Sequence, residues 1–353
     1  MPKTSKTYEI LCIGDPHFKE TTKADNDLLV EKVLKVAQER KPHQIVVMGD
    51  LLDRHRTAHL VPLGDATDFL YKLSEIAPTF ALIGNHDLIN DRQYLSDYHP
   101  FSGIRQAPNL TIVSKRVVYE PPSLPHRKFL YLPYVPTGRF AEALEEVPEG
   151  TIATFCHQMF QGSSFRGVKA PEDSDYWSTD YPLAIAGHVH EYQRIGKNLV
   201  YVGTPRQSDF GDTGPSKALS LFKFTIPEDS EVTWEEERID LGLGNYLTLQ
   251  LEIPEARKWS PPTETDHYRL YITGSQVEVQ MYLSSKSATK LRAKGVIVLE
   301  GLITDQPEIG EKYNPLKSES VVQYLESVYR SLEGNPRHVK WYNHLISLGT
   351  EKE

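Results

Sequence analysis

The sequence predicts an α/β fold in which two β-sheets pack face to face and helices cover their outer surfaces. Up to about residue 225, short apolar runs alternate with amphipathic stretches, which is the pattern of layered α/β proteins. Tyr8 to Gly14, Gln44 to Met48 and Thr79 to Ile83 are predicted as the first three strands. Helical periodicity lies between them, so we expect parallel pairing with right-handed crossovers.

Strands dominate the next part of the chain. A short acidic helix at Phe140 to Val147 interrupts them. The predicted strands are Leu110 to Val113, Phe129 to Tyr134, Thr151 to His157, Leu183 to Ala186, Leu199 to Val202 and Ala218 to Phe224. Together with the first three strands, they are numerous enough to supply two sheets.

The chain length of 353 residues suits two domains. We predict a first domain at 1–225 and a linker at 226–244, where an acidic run and two glycines interrupt the strand pattern. A smaller α+β domain is predicted at 245–305, with Val277 to Leu283 among its strands and a basic helix near Lys286 to Lys294. Residues 306–353 are predicted as a helical tail.

Composition narrows the class of protein. With 39% hydrophobic and 25% charged residues and no long apolar run, a membrane span is not expected. Met1 to Thr7 is polar and lacks the apolar core of a signal peptide, so we expect an intracellular, cytoplasmic location. Two cysteines exclude a disulfide framework. The net charge of −9 argues against non-specific coating of nucleic acid, but it is compatible with a nuclease.

Five short motifs carry the chemical signal, and most of them close a predicted strand. They are Asp15-Pro16-His17, Gly49-Asp50-Leu51-Leu52-Asp53, Gly84-Asn85-His86-Asp87, an isolated His157, and Gly187-His188-Val189-His190. Each motif alone is more often structural, as a turn or a fortuitous pair. Their joint occurrence in this order favours a metal site at one edge of the sheets.

The residue types suit a site for two divalent ions. Two ions close together need an anionic bridge, and Asp50 is the candidate. Asp15 and His17, at spacing i, i+2, can chelate one ion, while His188 and His190 can be divided between the two. Asn85 and His157 add a carbonyl oxygen and an imidazole. This mixed set favours Mn²⁺, with Mg²⁺, Fe or Zn²⁺ as alternatives, over Ca²⁺.

His86 follows Asn85 directly, so its side chain leaves the backbone in a different direction. A site of this kind suits hydrolysis of a phosphoester. We predict that His86 approaches the phosphate of the substrate, stabilises the transition state and protonates the oxygen that leaves. Asp53 and Asp87 are predicted to orient backbone groups or ligand histidines as acceptors.

The ordered motifs resemble those of the calcineurin-like metallophosphoesterase superfamily, over residues ~8–225. The resemblance implies a four-layer sandwich, with two packed mixed β-sheets flanked by helices, and a smaller α+β capping domain. It also implies that Asp15, His17 and His190 bind one ion and Asn85, His157 and His188 the other. Asp50 would bridge them, and His86 would be the catalytic imidazole.

Within that superfamily the chain resembles SbcD-type DNA repair exonucleases and their bacteriophage counterparts. Val200 to Pro205 and the capping region, with Tyr268 to Gly274, carry this narrower match. It implies exonuclease and endonuclease activity on DNA and an SMC-like ATPase partner in a repair or recombination complex. Hydrolysis of a small-molecule or RNA phosphoester, and a non-catalytic scaffold, are the alternatives.

Other residues carry weaker signals. Arg54, His55 and Arg56 follow the second motif and either contact substrate phosphates or form a solvated helix start. Arg166 and Lys169 lie in a polar stretch that either binds substrate or is an ordinary exposed loop. An apolar stripe at Val321, Leu325, Val328 and Leu332 either contacts the ATPase partner or packs within its own domain. A homodimer is a separate alternative for the assembly.

Overall fold

The computed structural model describes residues 5–54, 57–90, 92–104, 106–212, 217–227 and 231–303. Three single-turn 3-10 helices lie at Glu20–Thr22, Asn85–Asp87 and Ser102–Ile104. The helices are α1 (Lys23–Arg40), α2 (Leu60–Ser74), α3 (Phe140–Leu144), α4 (Ile253–Ala256), α5 (Gln276–Leu283) and α6 (Lys286–Ala293). The strands are β1 (Ser5–Ile13), β2 (Gln44–Val47), β3 (Thr79–Leu82), β4 (Leu110–Val113), β5 (Val117–Tyr119), β6 (Lys128–Leu132), β7 (Thr151–His157), β8 (Ser164–Phe165), β9 (Val168–Lys169), β10 (Leu183–Gly187), β11 (Gln193–Ile195), β12 (Leu199–Tyr201), β13 (Leu219–Pro227), β14 (Thr233–Ile239), β15 (Tyr246–Glu252), β16 (His267–Gly274) and β17 (Ile297–Ile303).

The first large sheet has the strand order β14-β13-β1-β2-β3-β4. β1 to β4 run parallel, as the alternation of strands and helices predicts, whereas β13 pairs with β1 in the antiparallel direction. Every residue of β2 and β3 is buried. Strands covered on both faces have nearly continuous apolar sequences, and such runs predict these two strands from the sequence.

The second large sheet has the order β11-β12-β10-β7-β6-β5. Its four inner strands, β12, β10, β7 and β6, are parallel, and the two edge strands are antiparallel. Both sheets are therefore mixed, and the predicted fold class is confirmed.

Aromatic side chains join the two sheets. Phe80 of β3 stacks on Tyr131 of β6 with ring centroids 4.2 Å apart, and Tyr131 stacks on Phe155 of β7 at 5.1 Å. Such pairs contribute about 0.5–1.5 kcal/mol each beyond the burial of their area. The stack fixes one sheet against the other, and the strand ends of the two sheets are positioned together as a result.

The outer faces of the sheets are covered as well. Leu29 and Val33 of α1 and Phe69 of α2 pack on the first sheet. Phe140 of α3 and Trp177 pack on the second. The order of layers is therefore helix, sheet, sheet and helix with loops, as expected for the four-layer sandwich.

One predicted strand is wrong: Val277 to Leu283 lies in α5. Ser275 precedes this helix and donates a hydrogen bond to Glu278 at 2.6 Å, in the serine-x-x-glutamate pattern of a helix start. Val279 and Tyr282 are buried while Val277 and Met281 are exposed, which is a helical period. The valines suggested a strand, but the capping pattern and the burial of one face prevail.

The predicted linker, 226–244, contains β14, which pairs with β13 along seven residues from Thr233 to Ile239. Along this strand, which includes the acidic run, exposed residues alternate with partly buried ones. The Glu236 side chain is fully buried and accepts hydrogen bonds from Tyr192, Arg194 and Ser220. A buried carboxylate needs such donors, so these three hydrogen bonds hold β14 against its neighbours.

The C-terminal part contains a three-stranded sheet in the order β15-β16-β17, together with α4, α5 and α6. By density of contacts the described residues form two compact units: one comprises 5–249, 260–270 and 294–297, and the other 250–259, 271–293 and 298–303. The domain boundaries given above stay a prediction, and the tail at 306–353 lies outside the described residues. In the described part of the chain, no helix is both long and apolar enough to span a membrane.

Candidate metal centre

The five motifs meet at one edge of the two sheets. Asp15, Asp50 and Asn85 follow β1, β2 and β3, while His157 ends β7 and His188 follows β10. The two sheets meet here directly, since the His188 amide donates to Asp15 Oδ2 at 2.8 Å. Carboxyl ends of parallel strands are a common position for ligand sites in α/β folds.

Unusual backbone conformations aim the side chains inward. His17, Asp50 and His188 have φ values of 46°, 47° and 79°, in the left-handed region that non-glycine residues rarely adopt. Such residues cost on the order of 1–3 kcal/mol each and cluster at functional sites. Gly49 has φ 111°, and a Cβ there would collide with the His157 imidazole. The strand-to-loop turns are therefore shaped for the side chains that they present.

Asp15, His17 and His190 form the first ligand group, called here the Asp15 group. Each offers a donor atom within 4.8 Å of the others, and the Nε2 atoms of the two histidines are 3.0 Å apart. Burial lowers the pKa of His17 well below its usual range and that of His190 to about 4. Both imidazoles are therefore neutral, which is the form that binds a metal. Burial raises the pKa of Asp15 to about 8.

Asn85, His157 and His188 form the second group, the His157 group. Asn85 Oδ1 lies 3.0 Å from His157 Nε2 and 2.8 Å from His188 Nδ1, and these two nitrogens are 3.3 Å apart. His157 Nδ1 donates to the Met48 carbonyl at 2.7 Å and thereby fixes which nitrogen faces the group. Burial lowers the pKa of His188 to about 3.

Asp50 lies between the groups. Its Oδ2 is 3.9 Å from His17 Nε2 and 3.4 Å from His157 Nε2. Burial alone would raise the pKa of Asp50, but His157 holds it well below the usual range. Burial alone would lower the pKa of His157, but the charges of Asp50 and Asp15 raise it to about 9. One carboxylate therefore serves both groups.

The donor atoms fit divalent ions. Two ligand atoms bound at right angles to an octahedral ion, each about 2.1 Å from it, are about 3.0 Å apart. The His17 to His190 separation of 3.0 Å and the separations of 2.8–3.3 Å in the His157 group are close to this value. Asp15 Oδ1 is buried without a hydrogen-bond partner among the described residues, although a buried carboxylate oxygen needs a donor or a cation. In their deprotonated forms the imidazoles and the two carboxylates, together with one amide oxygen, suit Mn²⁺, Fe or Zn²⁺. Six of the seven predicted ligands are thus brought together in two groups of three, with Asp50 between them.

His86 stands at the edge of this centre. Its Nδ1 lies 2.5 Å from the Asp53 carbonyl, and its Nε2 lies 3.9 Å from Asp50 Oδ2. Its side chain is 27% exposed, against 2–3% for Asp50 and His17. His17, Asp50 and His86 also offer donor atoms within 4.8 Å of one another, so proximity alone is compatible with a ligand role. The greater exposure favours contact with a substrate.

The two acidic residues predicted to orient their neighbours have different surroundings. Asp87 is buried and accepts hydrogen bonds from the amides of Leu51, Leu52 and Gly84 at 3.0–3.2 Å, which ties the second motif to the third. Burial, reinforced by Asp50, raises the pKa of Asp87 to about 7. Asp53 contacts His86 through its carbonyl, while its carboxylate pairs with Lys19 at 3.1 Å.

The residues predicted to contact the substrate have different surroundings. Arg54 is exposed, and its Nη1 lies 3.5 Å from His59. Arg166 pairs with Asp209 at 2.9 Å, and its neighbour Phe165 packs on the His190 ring at 5.0 Å. Lys169 is exposed at the end of β9, and His55 and Arg56 lie outside the described residues.

Two residues next to the metal centre, Tyr134 and Lys217, are not among the site residues predicted from the sequence. Tyr134 lies beside His188, with ring centroids 5.7 Å apart. It is the last residue of a predicted strand, and this position is the signal that could have identified it as a site residue. Lys217 donates to the His190 carbonyl at 3.0 Å and to Thr204 Oγ1 at 2.8 Å. It is 27 residues away along the chain, and no motif surrounds it.

The chain is similar in sequence to known phosphoesterases. Residues 8–192 match the calcineurin-like phosphoesterase family. The chain is 30% identical over 297 residues to "Putative phosphoesterase 078R" of Invertebrate iridescent virus 3, covering 82% of this chain and 83% of that protein. It is 29% identical over 286 residues to "Putative phosphoesterase 244L" of Invertebrate iridescent virus 6, covering 79% and 98%.

Among solved structures, a Plasmodium protein described as "GAP50 the anchor in the inner membrane complex" matches 66% of this chain and 89% of its own. Its TM-score of 0.37 and identity of 13% are too low to support any conclusion about function.

Proposed function

The chain belongs to the calcineurin-like phosphoesterase family, and on that premise we propose that it is a two-metal phosphodiesterase that cleaves DNA. The convergence of the Asp15 and His157 groups on Asp50 is the observation that carries the hydrolytic part. Divalent ions held there, with Mn²⁺ favoured, would supply a water of lowered pKa and neutralise charge on the phosphoryl oxygens.

The protein groups have separate tasks in this proposal. Asp15, His17 and His190 hold one ion, and Asn85, His157 and His188 hold the other. Asp50 is shared between them. His86 Nδ1 is engaged by the Asp53 carbonyl, which leaves Nε2 directed to the centre, where it donates a proton to the leaving oxygen. Asp87 keeps the turns of the second and third motifs together.

Three features support DNA as the substrate. Val200 to Pro205 resembles the corresponding strand of SbcD-type nucleases. The chain continues well beyond residue 192 into a small α+β unit, as those nucleases do. In that unit, Lys286 and Lys290 lie on one side of α6, followed by Lys294, and such basic residues suit contacts with a phosphate backbone.

We also propose that the chain acts with an SMC-like ATPase in a recombination or repair complex. The tail at 306–353 is the segment proposed to bind it. Co-purification of the full chain and of a chain ending at 305 with a co-expressed ATPase tests this. Equal recovery of the ATPase with both chains would contradict a role for the tail.

The substrate is tested by incubating the purified protein with Mn²⁺ and single-stranded DNA, double-stranded DNA, RNA or a chromogenic phosphodiester. We expect DNA degradation, and a fall of about 1000-fold or more in Asp50→Ala, because a shared carboxylate supports several kcal/mol of charge stabilisation.

Controls separate the alternatives. Turnover of the small ester or RNA without DNA degradation would contradict the nuclease proposal and leave the phosphoesterase chemistry intact. Equal activity of Asp50→Ala would contradict the metal centre. Absence of all hydrolysis by a protein that binds two ions would favour a scaffold.

A further inference from the structure

A cavity of about 310 Å³ opens beside His86. We call it the Tyr98 pocket, and its lining includes the apolar residues Leu52, Leu88, Ile89, Tyr98 and Pro100 together with His86 and further polar side chains. A larger cavity of about 790 Å³ lies near Lys6, Lys128 and Pro227. That cavity is at the amino-terminal ends of β1 and β6, opposite the metal centre, whereas the Tyr98 pocket shares a residue with the centre.

The Tyr98 pocket combines a buried apolar floor with exposed apolar side chains. Leu52 and Leu88 are only 4% and 3% exposed and form the floor. Tyr98 is 76% exposed and Ile89 is 45% exposed. Ligand pockets are concave and mostly apolar, with few polar groups, and cavities of about 300–1,000 Å³ are typical of them. The size of this one suits a single flat ring system with its sugar.

We propose that the Tyr98 pocket binds the base of the nucleoside that leaves during phosphodiester cleavage. This rests on the proposed DNA phosphodiesterase function and names a base-binding subsite for it. A base offers an aromatic face to Tyr98, and stacking of this kind tolerates any base. Arg54, which also lines the pocket, is a cation beside the adjacent phosphate.

The position of His86 determines which nucleoside enters. In the reaction a water loses one proton to solvent and its oxygen bonds to phosphorus, while the bond from phosphorus to the leaving oxygen breaks. The leaving oxygen takes a proton from His86 Nε2, and His86 regains a proton from solvent. The leaving oxygen must therefore lie within reach of Nε2, which faces Asp50 at 3.9 Å. The nucleoside carrying that oxygen is then on the side of His86 and of the pocket that His86 lines.

Dinucleoside phosphates test the subsite without knowledge of the cleavage polarity. Three substrates are compared: one with both bases, and two in which either base is replaced by hydrogen on its sugar. The products identify which sugar leaves as a nucleoside and which keeps the phosphate. We expect loss of the base on the leaving nucleoside to lower kcat/KM about tenfold, and loss of the other base to have less effect.

Tyr98→Ala should lower kcat/KM about tenfold on the complete substrate and less than twofold on the substrate that lacks the leaving base. Tyr98→Phe should retain wild-type values, because the ring remains. Tyr71→Ala is the matched control, since Tyr71 is also exposed, at 41%, but lies on α2 outside the pocket. It should behave as wild type on all three substrates.

The outcomes are distinct. If Tyr98→Ala lowers kcat/KM equally on substrates with and without the leaving base, the subsite is wrong and the proposed function stands. If Tyr98→Ala also changes the sedimentation coefficient, the exposed residues form an interface between chains and the subsite is again wrong. If the wild type degrades DNA but cleaves none of the three substrates, the subsite is wrong and the proposed function stands. If it degrades no DNA and cleaves none of the three but hydrolyses a small phosphoester, the DNA function fails and the subsite fails with it.

Discussion

The two ligand groups are built from similar residues but are held in different ways. In the His157 group, the second ring nitrogen of His157 donates to the Met48 carbonyl at 2.7 Å. In the Asp15 group, Nδ1 of His17 and Nδ1 of His190 are buried without a hydrogen-bond partner among the described residues. A hydrogen bond to the second ring nitrogen orients a metal-binding imidazole and raises its basicity. The His157 group should therefore bind its ion more tightly.

The Asp15 group is positioned mainly through the main chain. The His17 amide donates to the Asp50 carbonyl at 3.0 Å, and Lys217 and Thr204 both donate to the His190 carbonyl, at 3.0 and 3.1 Å. Such contacts place the Cα atoms but leave ring rotation to packing. The His157 group should therefore be a site of high affinity, whereas the ion of the Asp15 group should exchange more readily.

Among the variants that leave Asp50 in place, His86→Ala has the largest expected effect. His86→Ala should lower kcat about 100-fold or more, the usual contribution of a positioned proton donor, while two ions per chain remain bound. Metal content after gel filtration and steady-state kinetics check both parts. Loss of an ion from His86→Ala would instead make His86 a ligand beside His17, and would break the division into two groups of three.

The difference between the groups is tested directly by His157→Ala and His190→Ala. His190→Ala should retain one tightly bound Mn²⁺, whereas His157→Ala should lose the tight site, with affinity falling about 10–100-fold. Isothermal titration of the metal-free proteins gives both values. Equal loss of affinity in the two variants would contradict the inequality of the groups.

The pH dependence of metal binding should follow the protonation of the metal-free centre. Asp15, with a pKa of about 8, and His157, with a pKa of about 9, both carry protons at pH 7. An ion must displace these protons, so affinity should rise about tenfold or more per unit between pH 6 and pH 8. Titration calorimetry in two buffers of different ionisation enthalpy measures the protons released, and no release at pH 7 would contradict this protonation state.

The smallest effect concerns the Asp15 group alone. Lys217→Met removes a donor from the His190 carbonyl and should weaken the lower-affinity site up to about tenfold, with no change in the tight site. Lys223→Met is the control, because Lys223 is exposed on the neighbouring strand β13. Similar losses in both variants, or a loss confined to the tight site, would show that Lys217 does not position this group.

Much of the fold was predictable because its signals are local. β2 and β3 are short apolar runs ended by glycine motifs, and burial on both faces makes such sequences unmistakable. α5 was missed because valines at 277 and 279 favour a strand, whereas the decisive Ser275 and Glu278 precede and begin the helix. β14 was missed because its acidic residues are stabilised by partners on β11 and β13, which no local pattern shows.

The candidate site was predictable for a related reason. Residues such as Asp50 and His188 follow strands directly, so the fold delivers them to one edge whatever the loops do. Residues that hold those ligands in place were not predictable. Lys217 acts on His190 from a distant loop, and the Met48 carbonyl acts on His157 through the main chain, which carries no signature in the sequence.

The central claim is that two unequal ions share Asp50. The most direct measurement is electron paramagnetic resonance during titration of the metal-free protein with Mn²⁺. We expect an isolated Mn²⁺ signal up to one equivalent and a spin-coupled pair at two, with the coupling lost in Asp50→Ala. Two uncoupled ions, or saturation at a single ion in the wild type, would contradict it.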